Sequence, residues 1–263
     1  MRIGYIQNSP IFGNKDTNLN AIDDLIKGKK ADLIVLPELF ATGYNFTSID
    51  EVTELSENIN DKTSGFLCQK SLDTGAIIVA GFIERDGDSF YNSSIIIHAG
   101  IIKGVYRKLH LYNKEKLFFT HGNYPLKVYT INGCKIGMMI CFDWIFPEVS
   151  RVLALEGAQI IAHPANLVMP YCQQAMAIRC LENRVFAVTA NRVGVEKRGD
   201  DEFRFTGGSQ ITSYNGEILS AASKDSPCAD FVTIDSDQAN IKKINPFNDL
   251  FADRRTDFYH QIV

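Results

Sequence analysis

The run Leu33-Ile34-Val35-Leu36 contains no polar side chain and stops abruptly at Pro37-Glu38. Before it, Leu19, Ile22, Leu25 and Ile26 repeat at helical spacing behind a cap at Asp16 or Thr17, and the alternating segment Arg2 to Asn8 reads as a strand. A strand, helix, strand order whose second strand is apolar throughout argues for an α/β fold with a sheet covered on at least one face.

Two further stretches repeat the device of an apolar or β-prone run that delivers a reactive residue at its end. Gly104-Val105-Tyr106-Arg107 ends at Lys108, and Lys135-Ile136-Gly137-Met138-Met139-Ile140 ends at Cys141. The turn Asn132-Gly133 precedes the second of these, and Pro147-Glu148 opens a helix after it. Cys141 therefore stands where a strand hands over to a helix, a place where open sheets put chemistry on a fixed backbone.

The rest of the chain follows the same grammar. Residues 49–72 read as helical, 76–84, 91–98 and 101–107 as a meander, and 128–131 with 135–140 as a hairpin. A helix over 147–157, a strand over 159–163, a helix over 173–183 and a strand over 185–190 come next. A hairpin over 207–212 and 218–221 and a strand over 231–234 close the pattern. The succession occurs twice in loosely similar form, before and after about residue 120, with no linker between. At 263 residues this reads as a single domain, 1–263, with residues 245–263 a polar, aromatic carboxy-terminal arm.

Composition narrows the function. A net charge of −4 leaves no electrostatic footprint for nucleic acid, and no apolar run is long enough for a bilayer. The six cysteines lack paired spacing, and the first residues enter a strand with no signal-peptide core. The expectation is a cytoplasmic protein with a small-molecule partner.

Taken singly, Cys141, Lys108 and Glu38 have structural explanations: a small buried hydrophobe, a basic edge residue and a surface acid. Together they are more specific. A thiol attacks as thiolate and needs a base or a positive field. Of the five histidines only His110 and His163 are placed to assist, and a desolvated carboxylate can serve instead, for which Glu38 is best placed. Lys108 would supply a positive charge that holds the thiolate and stabilises an oxyanion.

Leu-Pro-Glu-Leu-Phe around Glu38, Tyr-Arg-Lys-Leu-His-Leu around Lys108 and Met-Ile-Cys-Phe-Asp-Trp-Ile-Phe-Pro-Glu around Cys141 resemble the three signature blocks of the nitrilase superfamily, the carbon–nitrogen hydrolases. The resemblance also takes in Tyr91-Asn92-Ser93, residues 115–122, His163 to Asn166, Arg179 to Arg184 and Asn191 to Gly194. It implies a four-layer αββα sandwich with two facing mixed sheets, assembled into homodimers or higher homo-oligomers through outer helices and the arm. It implies Cys141 as nucleophile, Glu38 as general base, Lys108 as oxyanion stabiliser and Glu115 as the second glutamate that positions substrate and lysine. The backbone N–H of Phe142 is a natural second oxyanion donor.

No cofactor is expected, and no metal is required. Tyr44, Phe142, Trp144 and Asn166, near strand ends, are the candidate substrate-binding residues. Phe142, where true nitrilases tend to carry tryptophan, favours a small amide over a nitrile as substrate. An aliphatic nitrile or an N-carbamoyl amine or amino acid is the alternative. A catalytically silent binding protein of the same fold is the non-enzyme reading.

Overall fold

The computed structural model describes residues 1–262. In the first half, β1 (Arg2–Gln7) leads through α1 (Lys15–Ile26) to β2 (Leu33–Val35). The helices α2 (Ile49–Leu55) and α3 (Lys62–Thr74) then precede β3 (Ile77–Asp86), β4 (Ser89–His98) and β5 (Ile101–Arg107). A single-turn α4 (Glu115–Phe118) leads to β6 (Val128–Ile131) and β7 (Cys134–Met138). Next come α5 (Pro147–Leu155), β8 (Ile160–Pro164), α6 (Cys172–Asn183) and β9 (Phe186–Ala190). The hairpin β10 (Val195–Arg198) and β11 (Asp201–Arg204) is followed by β12 (Gln210–Thr212), β13 (Ile218–Ala221) and β14 (Cys228–Thr233).

Two mixed sheets result, one ordered β14-β1-β2-β3-β4-β5 and the other β13-β12-β9-β8-β7-β6. Within them β1, β2 and β3 pair in parallel, as do β7, β8 and β9. The apolar run at 33–36 is explained by pleating, which sends alternate side chains to opposite faces. Leu33 and Val35 join Ile3, Ile77 and Val79 in the core shared with Met138, Ile161 and Ala187 of the second sheet. Ile34 and Leu36 join Ile78 and Ala80 against Leu19, Ile22 and Ile26 of α1 and Leu67 of α3. On the other side, α5 and α6 bury Val149, Leu153, Met176 and Cys180. The architecture is the four-layer αββα sandwich, with the two sheets facing each other.

Some boundaries differ from the sequence reading. The helix expected over 49–72 is broken between α2 and α3, because the backbone at Glu57 bonds to β3 instead, its N–H to Ile83 O (3.0 Å) and its carbonyl from Arg85 N (2.8 Å). The pair β10–β11 was not anticipated. Its residues are mostly charged, which hides a strand from any pattern of apolar alternation. No helix among the described residues is long and apolar enough to cross a membrane.

Candidate active site

Glu38 follows β2, and its neighbour Leu39 takes a left-handed conformation (φ +47°) that turns the chain away from the sheet. The turn lies directly on Gly81 of β3, where a Cβ would stand 2.6 Å from Glu38 Cα and 2.9 Å from Leu39 N. Only glycine lets the backbones approach so closely. Lys108 at the end of β5 is held similarly: Gly122 N donates to Lys108 O (2.9 Å), and a Cβ on Gly122 would meet Arg107 O at 2.1 Å. Arg107 itself forks onto Glu84, locking the strand end beside the lysine.

Neither charge faces solvent: Glu38 is 0% and Lys108 1% exposed. Lys108 Nζ donates to Glu38 Oε1 (2.6 Å) and to Glu115 Oε1 (2.8 Å). Asn92 Nδ2 also donates to Glu38 Oε1 (2.7 Å), while Glu38 Oε2 is buried with no hydrogen-bond partner among the described residues. Glu115 receives Tyr44 Oη on Oε1 (2.7 Å) and Tyr112 N on Oε2 (3.1 Å).

Cys141 opens a 3-10 turn, Cys141–Ile145, between β7 and α5. Its backbone is left-handed (φ +39°), a conformation costing a residue with a Cβ about 1–2 kcal/mol. Two buried side chains hold this elbow. His163 Nε2 donates to Cys141 O (3.0 Å) and its Nδ1 accepts from Thr189 Oγ1 (3.1 Å), while burial pushes the imidazole down to about 4 and keeps it neutral. Asp143 accepts from Ile140 N (2.9 Å), Tyr106 Oη (2.7 Å) and His110 N (3.2 Å). The His110 ring also bonds Asp143 Oδ1 (2.8 Å) and stacks on Phe146. Both ring nitrogens of His163 are thus occupied away from the thiol.

The thiol lies within the field of the buried charges. Burial pushes Cys141 well above the usual thiol range, the charge of Glu38 adds to this, and Lys108 opposes it. Burial would lower the Lys108 ammonium, but Glu115 and Glu38 more than reverse that and keep it charged. Burial raises Glu115 against the pull of Lys108. Lys108 lowers the thiol, as expected of it alone, but burial and the two carboxylates outweigh it.

Of the other residues singled out in the sequence, Phe142, Trp144 and Asn166 line the cleft over Cys141 together with Tyr112 and Met169. Tyr44 does not line it. Its hydroxyl is committed to Glu115, so it supports the charged cluster. Sequence reasoning gave no role to Asn92, Asp143, Arg192 or Glu196. The last two form a buried ion pair, and Glu196 Oε2 accepts from Tyr44 N (3.0 Å) and Asn45 N (2.8 Å), fixing the loop after Glu38. The blocks around Asn92 and Arg192 were visible in the sequence; their long-range partners were not.

The carbon–nitrogen hydrolase family profile matches residues 2–242. A protein named nitrilase from Pyrococcus abyssi is 46% identical, with 98% of this chain and 99% of that one aligned. An (R)-stereoselective amidase from a Pseudomonas species is 33% identical over 92% of this chain and 85% of its own length. Among solved structures, a carbon–nitrogen hydrolase from Helicobacter pylori G27 superposes with a TM-score of 0.87 at 25% identity, covering 100% of this chain and 98% of that one. By sequence and by fold, the chain belongs to the carbon–nitrogen hydrolase family of the nitrilase superfamily.

Proposed function

We propose that the protein hydrolyses the C–N bond of a small amide to a carboxylic acid and ammonia through a thioester on Cys141. The observation that carries this reading is the buried Glu38–Lys108–Glu115 cluster, whose charges act on the thiol of a left-handed cysteine. The free Oε2 of Glu38 accepts the thiol proton as sulfur adds to the amide carbon. The oxyanion accepts hydrogen bonds from Lys108 Nζ and from Phe142 N–H, one of the first amides of the 3-10 turn, which have no acceptor within it. Glu38 then returns the proton to nitrogen and ammonia departs. It next deprotonates one water, which attacks the thioester and releases the acid and the free thiol. Glu115, held by Tyr44 and Tyr112, keeps the Lys108 ammonium aimed.

A second reading rests on the relative named nitrilase. A nitrile would add the same sulfur to give a thioimidate and consume two waters. Both readings are tested by following ammonia release from small aliphatic amides and nitriles. Cys141→Ala is expected to lose several orders of magnitude in rate, as when a nucleophile that works with its base as one unit is removed. Equal rates for the variant and the wild type would rule out the covalent route, and a wild type inactive on every compound would favour the binding protein. The exposed Val152, Leu155, Ile178 and Leu181 on the outer layer of α5 and α6 support a homodimer formed through these helices.

A further inference from the structure

The cleft over Cys141 has walls of aromatic and aliphatic side chains, from Tyr112, Phe142 and Trp144 to Met169, with Asn166 among them. Asn166 is 2% exposed, yet neither its Oδ1 nor its Nδ2 has a hydrogen-bond partner among the described residues. The chain treats comparable amides differently. Asn191 Oδ1 accepts from Leu167 N (2.9 Å) and its Nδ2 donates to Gly207 O (2.6 Å). Gln7 donates to Ser223 O (2.8 Å) and Ser226 O (2.9 Å), and accepts from Ser209 N (2.9 Å). Where Asn8, Asn92 and Asn183 lack a partner, only the carbonyl oxygen is left over. Asn166 leaves both ends unmade, and a buried donor and acceptor without partners destabilise the fold that carries them.

The position of this side chain gives the unpaired atoms a use. Asn166 and Cys141 line the same small cleft, so the unpaired side chain borders the space that a carbon attacked by the sulfur would occupy. One edge offering an acceptor and a donor together complements a carboxamide, which presents an N–H and a C=O on one edge. A carboxylate and a nitrile present only acceptors, and an ammonium only donors.

We infer that Asn166 reads the scissile carboxamide and sets a preference for amides over nitriles, an inference that rests on the thiol-hydrolase reading above. Oδ1 accepts an N–H of the nitrogen that will leave, and Nδ2 donates to the carbonyl oxygen. As that oxygen becomes tetrahedral its third lone pair makes room for Nδ2 beside Lys108 Nζ and Phe142 N–H. A nitrile has no N–H and leaves Oδ1 buried and unpaired. Sites built to bond a substrate N–H reject analogues that lack it for this reason.

The test uses a matched pair, butyramide and butyronitrile, with the full-length protein. The wild type should favour the amide in kcat/KM. Asn166→Leu, similar in volume but apolar, should lower kcat/KM for the amide by about 100-fold and the amide-to-nitrile ratio by at least about tenfold. The same variant should melt about 2–4 °C higher, because two unpaired buried atoms are gone. Asn166→Asp, which keeps an acceptor and loses the donor, should retain part of the ratio. A wild-type preference for the nitrile, an unchanged ratio in Asn166→Leu, or a variant that melts lower or fails to fold would each overturn the inference while the hydrolase reading stands. A wild type inactive on both compounds would instead remove the hydrolase reading and this inference with it.

Discussion

Cys141 shows how a single residue's conformation is maintained by buried groups that do not line the cleft beside it. Its carbonyl is fixed by His163, and the amide of Ile140 before it by Asp143. His163 has a measurable signature. Its imidazole titrates near 4 in the fold against 6.5 in the unfolded chain, so between these values the unfolded state binds more protons. Stability therefore rises with pH across this window, by about 3 kcal/mol at about 1.4 kcal/mol per pH unit of separation, and is lost again on acidification from 6.5 to 4. In urea titrations His163→Gln, which keeps a donor for the Cys141 carbonyl, is expected to lack this part of the pH dependence. A wild-type slope retained in the variant would assign it to other groups. The cysteine was legible in the sequence because an apolar run stops at it. The histidine was legible only as a strand end, since its use on a carbonyl depends on a turn 22 residues away.

At the scale of elements, the two charged strand ends are placed by close backbone approach. Gly81→Ala puts a methyl group within 2.6 Å of Glu38 Cα, so the loop carrying the carboxylate must move. Displacing a catalytic group by about 1 Å costs on the order of 100-fold, and the loss should fall on kcat more than on KM. Steady-state kinetics of Gly81→Ala beside a thermal melt would check it, and a variant with wild-type kcat would show that the loop does not depend on this contact. The strands were readable from their apolar runs, and the three that end at Glu38, Lys108 and Cys141 announced themselves by a change of residue type. The break at Ser56–Asp61 and the β10–β11 hairpin were not readable. In both, the backbone is organised by distant partners: Glu57 by β3, and the hairpin through Glu196 by the loop at Tyr44 and Asn45.

At the scale of the whole molecule, the four layers leave apolar side chains on the outside of α5 and α6. Leu155 and Ile178, both exposed, would be covered in the proposed dimer. Light scattering of the wild type should give twice the monomer mass, and Leu155→Glu with Ile178→Glu should shift it towards the monomer. A wild type that stays monomeric at tens of micromolar would dispose of that interface.

The first sheet also joins segments that lie far apart in the chain. Register along β1 runs from Arg2 opposite Thr233 to Gln7 opposite Cys228, and the amino group of Met1 bonds Ile234 O (2.7 Å) across 233 residues of sequence. During synthesis β1 therefore lacks the neighbour that will seal it until β14, far behind it in sequence, has also left the ribosome. Until then the open margin of β1 can stick to other unfinished chains, so dependence on chaperones during synthesis, and insolubility of fragments stopped before Cys228, follow from this one pairing.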